Sequence, residues 1–231
     1  WSNLNNGLAI TQFYGVGATA AGAGAIYGGT QDNGSLKWTG SGTDWVTVFG
    51  GDGGASAADP ADANYLYGEY VYLRLHRSTN GAAASPSASY IYSGITDAAS
   101  AEANFIAPFV LCPSAPNVLY AGTLAVEKSV DGGINWFYPD GNNSWNGTPL
   151  ATIGVCATSP DTLVAATGNS VAGAIIEVRR TLNGGTSWQT AASALPTLYP
   201  TDVAFDPRHG AQVWLSYSGY GNPHVYKSSD A

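Results

Sequence analysis

The chain has 231 residues, of which 45% are hydrophobic and 12% aromatic, so it can bury a core and is not a disordered tail. Only 10% of the residues are charged, and the net charge of −8 with 8 Lys and Arg in all excludes a basic surface for nucleic acid or anionic membrane. No apolar run approaches the ~18 residues of a membrane span, and the start at Trp1, with neither Met nor a signal peptide, indicates a trimmed or processed chain.

Two acidic residues in the first part of the chain lie between glycines. Asp32 stands in GGTQDNG and Asp52 in GGDGG, and such glycines let the backbone approach a ligand or an ion closely. We therefore take Asp32 and Asp52 as candidate catalytic carboxylates, and Asp32, Asn33 and Asp52 as a candidate calcium site, because Ca²⁺ prefers oxygen ligands. The alternative is that both acids lie in tight turns between strands.

Four tyrosines alternate along the next segment, NYLYGEYVYLRL: Tyr65, Tyr67, Tyr70 and Tyr72. Side chains two residues apart in a strand point to the same face, so the pattern predicts a tyrosine-lined strand. Such a face could stack on sugar rings, which makes Tyr70 and Tyr72 candidate ligand-binding residues. Packing between sheets is the alternative role.

Two cysteines follow, Cys112 and Cys156, 44 residues apart. This spacing excludes a CxxC redox or zinc pair. It leaves either a disulfide between Cys112 and Cys156 or two buried thiols. Trp145 lies between them in the polar segment DGNNSWNGTP, which has no strand pattern, so we predict that Trp145 is exposed and binds a ligand.

A short motif recurs along the chain with the pattern [Ser/Thr]-x-[Asp/Asn]-x-Gly-x-x-Trp, here called the hairpin motif. It is complete in KSVDGGINW (128–136) and RTLNGGTSW (180–188), begins again in KSSDA (227–231), and survives in part in SGTDW (41–45) and HRSTNG (76–81). Its residues are Ser129, Asp131, Gly133, Trp136, Thr181, Asn183, Gly185, Trp188, Ser228 and Asp230.

A structural role explains each position of the hairpin motif. The Asp side chain can accept hydrogen bonds from backbone amides of its own turn, Gly supplies positive φ, and Trp packs beneath. Asn183 replaces Asp131 in the second copy, and an amide can hold a turn but cannot serve as a general acid. We therefore interpret Asp131 as a structural residue.

Upstream of each hairpin motif, two apolar strands flank a turn that contains proline. The prolines are Pro60, Pro113, Pro160 and Pro207, spaced by 53, 47 and 47 residues. A period near 47 with short alternating strands is typical of propeller blades. The sequence therefore predicts an all-β propeller of four-stranded antiparallel blades over 1–231, with about five blade-like units at approximately 1–45, 46–90, 91–136, 137–188 and 189–231.

The hairpin motif resembles the Asp-box, or bacterial neuraminidase repeat, of sialidases, sortilin-type receptors and xyloglucan-cleaving hydrolases. The stretches LNNGLAITQFY (4–14), YGGTQDNGSLKW (27–38) and VFGGDGGASAADP (48–60) are similar to segments of large secreted bacterial Asp-box proteins labelled sortilin-like or glycosyl hydrolase. The resemblance implies an extracellular or cell-surface protein, with the motifs on the outer blade edges. It also implies a propeller of six or more blades, of which these five units are a fragment; a small closed ring is the alternative.

Other catalytic patterns are absent from the sequence. A sialidase needs an arginine triad, and Arg74, Arg77, Arg179, Arg180 and Arg208 stand in no recognisable motif. The three histidines, at 76, 209 and 224, lack metal-ligand spacing and are predicted to lie in surface turns. No nucleophile elbow or phosphate loop occurs.

Two functions remain. The first, favoured by the absent acid pair, the low charge and the neutral polar surface, is a secreted non-catalytic propeller without a cofactor that binds glycans or proteins or builds a surface structure. The second is the propeller part of a secreted glycoside hydrolase acting on polysaccharide, with its acids at Asp32 and Asp52 or outside these residues. We expect a carbohydrate or protein ligand, and further domains of a longer chain or self-assembly, but no nucleic acid and no membrane insertion.

Overall fold

The computed structural model describes residues 1–3, 10–20, 24–83, 88–141, 144–170, 173–191, 195–221 and 223–230. Within these ranges the chain forms strands and no helix, so the predicted all-β class is confirmed. None of the described residues therefore belongs to a helix of the length and apolarity that a membrane span requires. Residues 4–9, which open one of the stretches carrying the family resemblance, lie outside the described part.

The strands form five antiparallel sheets that follow one another along the chain, each pairing its strands in sequence order. The first sheet contains β1 (Phe13–Thr19), β2 (Ala25–Thr30), β3 (Gly34–Trp38) and β4 (Trp45–Phe49); the second β5 (Ser56–Ala58), β6 (Leu66–Glu69), β7 (Leu75–Ser78) and β8 (Ala88–Tyr90); the third β9 (Phe109–Leu111), β10 (Leu119–Gly122) and β11 (Val126–Ser129); the fourth β12 (Leu150–Cys156), β13 (Ser159–Thr167), β14 (Val178–Thr181) and β15 (Gln189–Thr190); the fifth β16 (Pro200–Phe205), β17 (Val213–Tyr217) and β18 (Val225–Ser228).

Three sheets have four strands, and two have three among the described residues. In the third sheet an antiparallel bridge between Lys128 and Phe137 takes the place of a fourth strand. Each fourth strand pairs with the third strand of its own sheet, so a blade ends slightly after the motif tryptophan. The first blade ends at Phe49 and the fourth at Thr190, whereas the sequence suggested approximate unit ends at 45 and 188. Pro160 lies at the start of β13 and not in a turn.

The first strands of the five sheets lie at the centre. Strands β1, β5, β9, β12 and β16 each contact the next in this order, and all five line one cavity of about 470 Å³. The remaining strands of each sheet extend outward. This is the arrangement of propeller blades around a channel.

The core consists of four apolar clusters, each formed by two successive blades. Representative members are Tyr27 and Leu66 between the first and second blades, Leu75 and Leu119 between the second and third, Tyr120 and Leu163 between the third and fourth, and Val164 and Val203 between the fourth and fifth. Because each cluster needs both blades, a blade buries its apolar faces only against its neighbours.

A basic residue in the third strand joins each blade to the next; we call these four residues the forward cations. The contacts are Lys37 Nζ to the carbonyl of Gly81, Arg77 to the carbonyl of Gly132 at 2.5 Å, Lys128 Nζ to Asp161 Oδ1 at 3.3 Å, and Arg180 to the carbonyl of Asp230. Three of the four acceptors lie in the turn that follows the third strand of the next blade. The cations therefore add a polar link to each apolar interface.

Candidate functional site

The complete hairpin motif at 128–136 forms a closed network of hydrogen bonds. Ser129 Oγ lies 2.9 Å from Asp131 Oδ1 and accepts the backbone N–H of Gly133 at 2.8 Å. The Asp131 carboxylate accepts the backbone and side-chain N–H groups of Asn135 at 2.9 and 2.7 Å. The backbone N–H of Asn135 is the main cause that lowers the pKa of Asp131. This carboxylate therefore holds its own turn.

The other copies repeat the same bonds. Thr181 and Asn183 lie 2.8 Å apart through their side-chain oxygens, and Ser228 and Asp230 2.5 Å apart. The partial copy at 76–81, which lacks the motif Gly and Trp, also forms the turn: Ser78 Oγ lies 2.9 Å from Asn80 Oδ1 and accepts the N–H of Ala82 at 3.0 Å. The turn thus tolerates the loss of its glycine.

The motif tryptophans lie between blades. Trp136 is 8% exposed in the cluster between the second and third blades, and its Nε1 donates to the carbonyls of Ile91 and Gly133 at 2.6 and 3.1 Å. Trp188 packs against the cluster between the third and fourth blades. Each indole therefore fills the outer end of an inter-blade core.

Trp145 is half-buried, so the prediction that it is exposed on a polar loop is wrong. Its ring lies 5.0 Å from that of Trp188, and the guanidinium of Arg179 lies over it at 4.7 Å. Cation–π and aromatic packing account for this position. As a ligand-binding residue, Trp145 has little free ring surface to offer.

The predicted tyrosine-lined strand ends early. Strand β6 stops at Glu69, and Tyr72 and Leu73 take positive φ values of 54° and 57°. Tyr70 and Tyr72 therefore lie in a tight turn and not on the face that Tyr65 and Tyr67 share. The ring of Tyr72 meets that of Phe105 edge-on at 5.5 Å, and it packs against the core.

Asp32 and Asp52 come together at one end of the first blade. In an antiparallel sheet with strands in order, the β2–β3 turn and the β4–β5 connection lie at the same end. Asp32 belongs to the turn and Asp52 to the connection, and the backbone N–H of Asp32 donates to Asp52 Oδ1 at 2.9 Å. The N–H of Gly53 donates to the carbonyl of Thr30 at 2.8 Å. Asp52 thus positions the turn that carries Asp32.

The glycines around these acids bring two backbones together. A Cβ on Gly29 would lie 2.1 Å from the carbonyl oxygen of Gly54 and 2.6 Å from the carbonyl carbon of Gly53. From the sequence, we expected these glycines to let a ligand or an ion approach the backbone closely. In the structure, the atoms that lie close to Gly29 belong to the backbone of Gly53 and Gly54.

Asp32 differs from Asp52 in what its carboxylate contacts. It is exposed, has a positive φ of 60°, and accepts no hydrogen bond from the part of the chain that the structure describes. The side-chain amide of Asn33 donates to the carbonyl of Gln31 at 2.8 Å. The described residues contain no group of three or more His, Cys, Asp and Glu suited to a metal ion, and calcium at Asp32, Asn33 and Asp52 stays a prediction.

An aromatic area adjoins this corner. A Cβ on Gly51 would lie 2.6 Å from the ring of Tyr70, and Arg74 lies over the same ring at 5.5 Å. Tyr90 is 50% exposed; burial raises its pKa, and the nearby charges of Arg74 and Tyr70 also act on it. We call Asp32, Asp52, Tyr70, Arg74 and Tyr90 the Asp32 surface. It combines flat rings with a carboxylate that accepts no hydrogen bond from the residues the structure describes, and sites for polar ligands combine such groups.

Comparison with known proteins identifies the fold. No family model and no curated protein matches the sequence. Among solved structures, the chain is similar to the GH74 enzyme of Niastella koreensis (TM-score 0.66, 17% identity, 94% of this chain and 35% of that one) and to the GH74 xyloglucanase of Xanthomonas campestris (0.63, 19%, 94% and 36%). It is also similar to the WD40 repeats of RRP9 (0.57, 8%, 90% and 60%). The fold is a β-propeller.

At these identities the likeness concerns the propeller fold alone. The chain spans about a third of the length of the two GH74 proteins. All three similar structures are matched over 90% or more of this chain, so the five blades together, and not one sheet, carry the likeness.

Three ionisable side chains are buried in the structure although the sequence analysis did not predict it. His76, predicted to lie in a surface turn, is fully buried, 2.8 Å from the hydroxyl of Tyr27 and stacked on Phe49, and burial lowers its pKa to about 3. Glu69 and Glu127 are buried as well, and burial raises the pKa of each to about 8. The sequence signalled the burial of these three residues only by placing a polar residue within an otherwise apolar strand.

The cysteines are both buried and both free, so of the two alternatives for Cys112 and Cys156 the disulfide is wrong. Burial raises the pKa of Cys112 to about 12. Cys156 Sγ lies 3.4 Å from Thr158 Oγ1. A raised pKa is the opposite of what a reactive cysteine has, so the Cys112 thiol is a structural one.

The buried glutamates predict a pH dependence of stability. A carboxyl with a folded pKa near 8 binds more protons folded than unfolded between its ordinary pKa and about 8, so stability falls as pH rises through this range. Between about pH 7 and 7.5, where His76 is neutral in the folded state and mostly neutral in the unfolded state, both glutamates are still largely protonated in the folded protein, and each lowers the free energy of unfolding by roughly 1 kcal/mol per pH unit. Glu127→Gln is expected to halve the slope of the free energy of unfolding against pH, measured by urea unfolding. The exposed Glu102→Gln is the control, and an unchanged slope in Glu127→Gln would contradict the prediction.

Proposed function

We propose that the chain is the propeller part of a secreted glycoside hydrolase acting on polysaccharide, and that the Asp32 surface faces the polysaccharide. The observation that carries the proposal is the state of Asp32, an exposed carboxylate on a left-handed turn, without a hydrogen-bond partner among the described residues. Most other carboxylates of the hairpins and turns accept hydrogen bonds from backbone N–H groups of their own turn. The fold likeness to two GH74 proteins, one a xyloglucanase, supports a glycan as the ligand.

The hairpins support the same family. Their repeated bonds from a Ser or Thr hydroxyl to the following Asp or Asn, and from the next backbone N–H to the hydroxyl, suit the Asp-box assignment. An extracellular location fits a substrate that is a polymer. Both remain part of the proposal.

Hydrolysis of a glycosidic bond needs two carboxyl groups on opposite sides of that bond. Asp52 accepts the backbone N–H of Asp32 and is therefore a positioning residue. We assign one carboxyl group to Asp32, and a second domain or chain facing the Asp32 surface supplies the other. The rings of Tyr90 and Tyr70 hold the sugar chain next to Asp32.

A second candidate function is a propeller that binds glycan without cleaving it. The hydrogen bond that Asp52 accepts from the backbone N–H of Asp32 favours it, because among the described residues of the Asp32 surface the carboxylate of Asp32 alone then lacks a hydrogen-bond partner. It uses the same surface and the same ligand class, so binding and cleavage have to be measured separately.

The proposal predicts that the chain binds xyloglucan through the Asp32 surface. In affinity gels containing xyloglucan, Tyr90→Ala is expected to weaken binding about tenfold, since an aromatic ring contributes about 1–1.5 kcal/mol. Asp32→Asn keeps binding within about threefold, because it retains the shape of the side chain. Tyr220→Ala, an exposed tyrosine of the fifth blade, is the control. No retardation of the unchanged protein, or equal loss in the control, would refute the assignment.

Cleavage separates the two candidates. In a preparation of this protein with its facing domain that releases reducing ends from xyloglucan, Asp32→Asn is expected to lower the rate at least 100-fold with binding kept. Binding with no cleavage in any preparation supports the second candidate.

A further inference from the structure

The side chain of Glu69, the last residue of β6, is fully buried in the second blade. Its carboxyl group forms no ion pair with the residues that the structure describes. Burying an acidic group costs free energy unless polar partners surround it. The partners of this carboxyl group therefore indicate what Glu69 does.

These partners are three backbone N–H groups. Glu69 Oε1 accepts the N–H of Leu73 at 3.0 Å and that of Ala107 at 2.8 Å, and Oε2 lies 3.4 Å from the nitrogen of Ala55. Leu73 belongs to the turn between β6 and β7, Ala107 to the connection between β8 and β9, and Ala55 to the connection between β4 and β5. One side chain thus joins three separate segments of the chain.

Two of these segments carry residues of the Asp32 surface. The connection between β4 and β5 contains Asp52, whose carboxylate accepts the N–H of Asp32 at 2.9 Å. The turn between β6 and β7 contains Tyr70 and Arg74, and the guanidinium of Arg74 lies over the ring of Tyr70. A shift of one segment against the other would separate the carboxylates of this surface from its rings.

Two features of the backbone depend on the carboxyl group. Tyr72 and Leu73 take positive φ values of 54° and 57°, and non-glycine residues keep such values only where the surroundings hold them. The bond from the N–H of Leu73 to Glu69 Oε1 supplies such a hold. In the other segment, a Cβ on Gly54 would collide with Glu69 Oε2, so the glycine leaves room for the carboxyl group.

We infer that Glu69 is a positioning residue, which fixes the two parts of the Asp32 surface against each other. Its carboxyl group holds the turn of Tyr70 and Arg74 next to the connection that contains Asp52. The rings and the carboxylate of Asp32 therefore meet the same ligand. That this ligand is a polysaccharide rests on the function proposed above, whereas the positioning rests on the contacts of Glu69.

Binding to xyloglucan affinity gels tests the inference with a matched control. Glu69→Met fills the same volume without an acceptor and is expected to weaken binding about tenfold, because buried N–H groups lose their partner. Glu69→Gln is expected to keep binding within about threefold, because its amide oxygen can accept the N–H groups of Leu73 and Ala107. Glu127→Met is the control, since Glu127 is also buried but its carboxyl group contacts Thr123; binding is expected to be unchanged.

Two results would overturn the inference. One is an equal loss of binding in Glu69→Met and Glu127→Met, which would reflect the loss of any buried glutamate. The other is a loss in Glu69→Gln as large as that in Glu69→Met, because the acceptor would then have no role.

Amide hydrogen exchange measures the positioning without a ligand. In Glu69→Met, the N–H groups of Gly54, Leu73 and Ala107 are expected to exchange about tenfold faster than in the unchanged protein, and in Glu127→Met at the unchanged rate. If the unchanged protein does not bind xyloglucan, the proposed function fails, and unchanged exchange in Glu69→Met would then overturn the positioning as well. If Glu69→Met does not fold, Glu69→Asp, which is one methylene shorter, takes its place with the same expected results.

Discussion

Replacing Trp136 by alanine is expected to lower the free energy of unfolding by about 3–5 kcal/mol, the cost typical of removing a buried Trp side chain. The ring is 8% exposed and belongs to the core shared by the second and third blades. Its loss also leaves the carbonyls of Ile91 and Gly133 without their indole donor. Urea unfolding followed by circular dichroism measures the effect, because fluorescence would change with the loss of any tryptophan.

Trp1→Ala is the matched control for this change. Trp1 is fully exposed, so its replacement is expected to change stability by less than about 0.5 kcal/mol. If the two variants unfolded at the same urea concentration, Trp136 would not be part of a shared core.

Replacing Gly29 by alanine is expected to cost about 3 kcal/mol and to disrupt the Asp32 surface. The new methyl group would lie 2.1 Å from the carbonyl oxygen of Gly54, and backbone atoms cannot move aside as a flexible side chain can. The segment that carries Asp52 has to shift, and the bond from Asp52 to the N–H of Asp32 breaks with it. Urea unfolding measures the first effect, and xyloglucan affinity gels the second.

Gly50→Ala is the control. Gly50 belongs to the same connection, but a Cβ there meets no atom within 4 Å and its φ is not positive. It is expected to unfold and bind like the unchanged protein. A Gly29→Ala variant of full stability would show that the two backbones are further apart than described.

The propeller was predictable because its signals are local and repeated. A turn built by Ser129, Asp131 and Gly133 depends on neighbours within a few residues. Its first residue recurs at Ser78, Ser129, Thr181 and Ser228, at spacings of 51, 52 and 47 residues, which gives the blade period. The partial copy at 76–81 could be found from the same pattern, although its Ala82 takes the place of a glycine.

The failures concern contacts between distant parts of the chain. Trp145 reads as an exposed loop residue because Arg179 and Trp188, which cover its ring, come more than thirty residues later. The alternation of Tyr70 and Tyr72 with the earlier tyrosines holds in sequence but not in space, because a tight turn intervenes.

The sequence predicted which acidic residues belong to the candidate site but not the role of each. Glycines marked Asp32 and Asp52 as unusual, and the structure brings them together. The sequence could not assign them different roles, since this depends on which of the two accepts a backbone N–H across the sheet end. Sequence patterns likewise gave no sign that Glu69 and Glu127 are buried, because their burial depends on the adjacent blade or loop.

The forward cations give the chain a direction. Lys37, Arg77, Lys128 and Arg180 each find their acceptor in the blade that follows, never in the one before. A protein is synthesised from its N-terminus, so the acceptor of each forward cation is made after the cation itself. Each of these four contacts can therefore form only once the following blade has been synthesised.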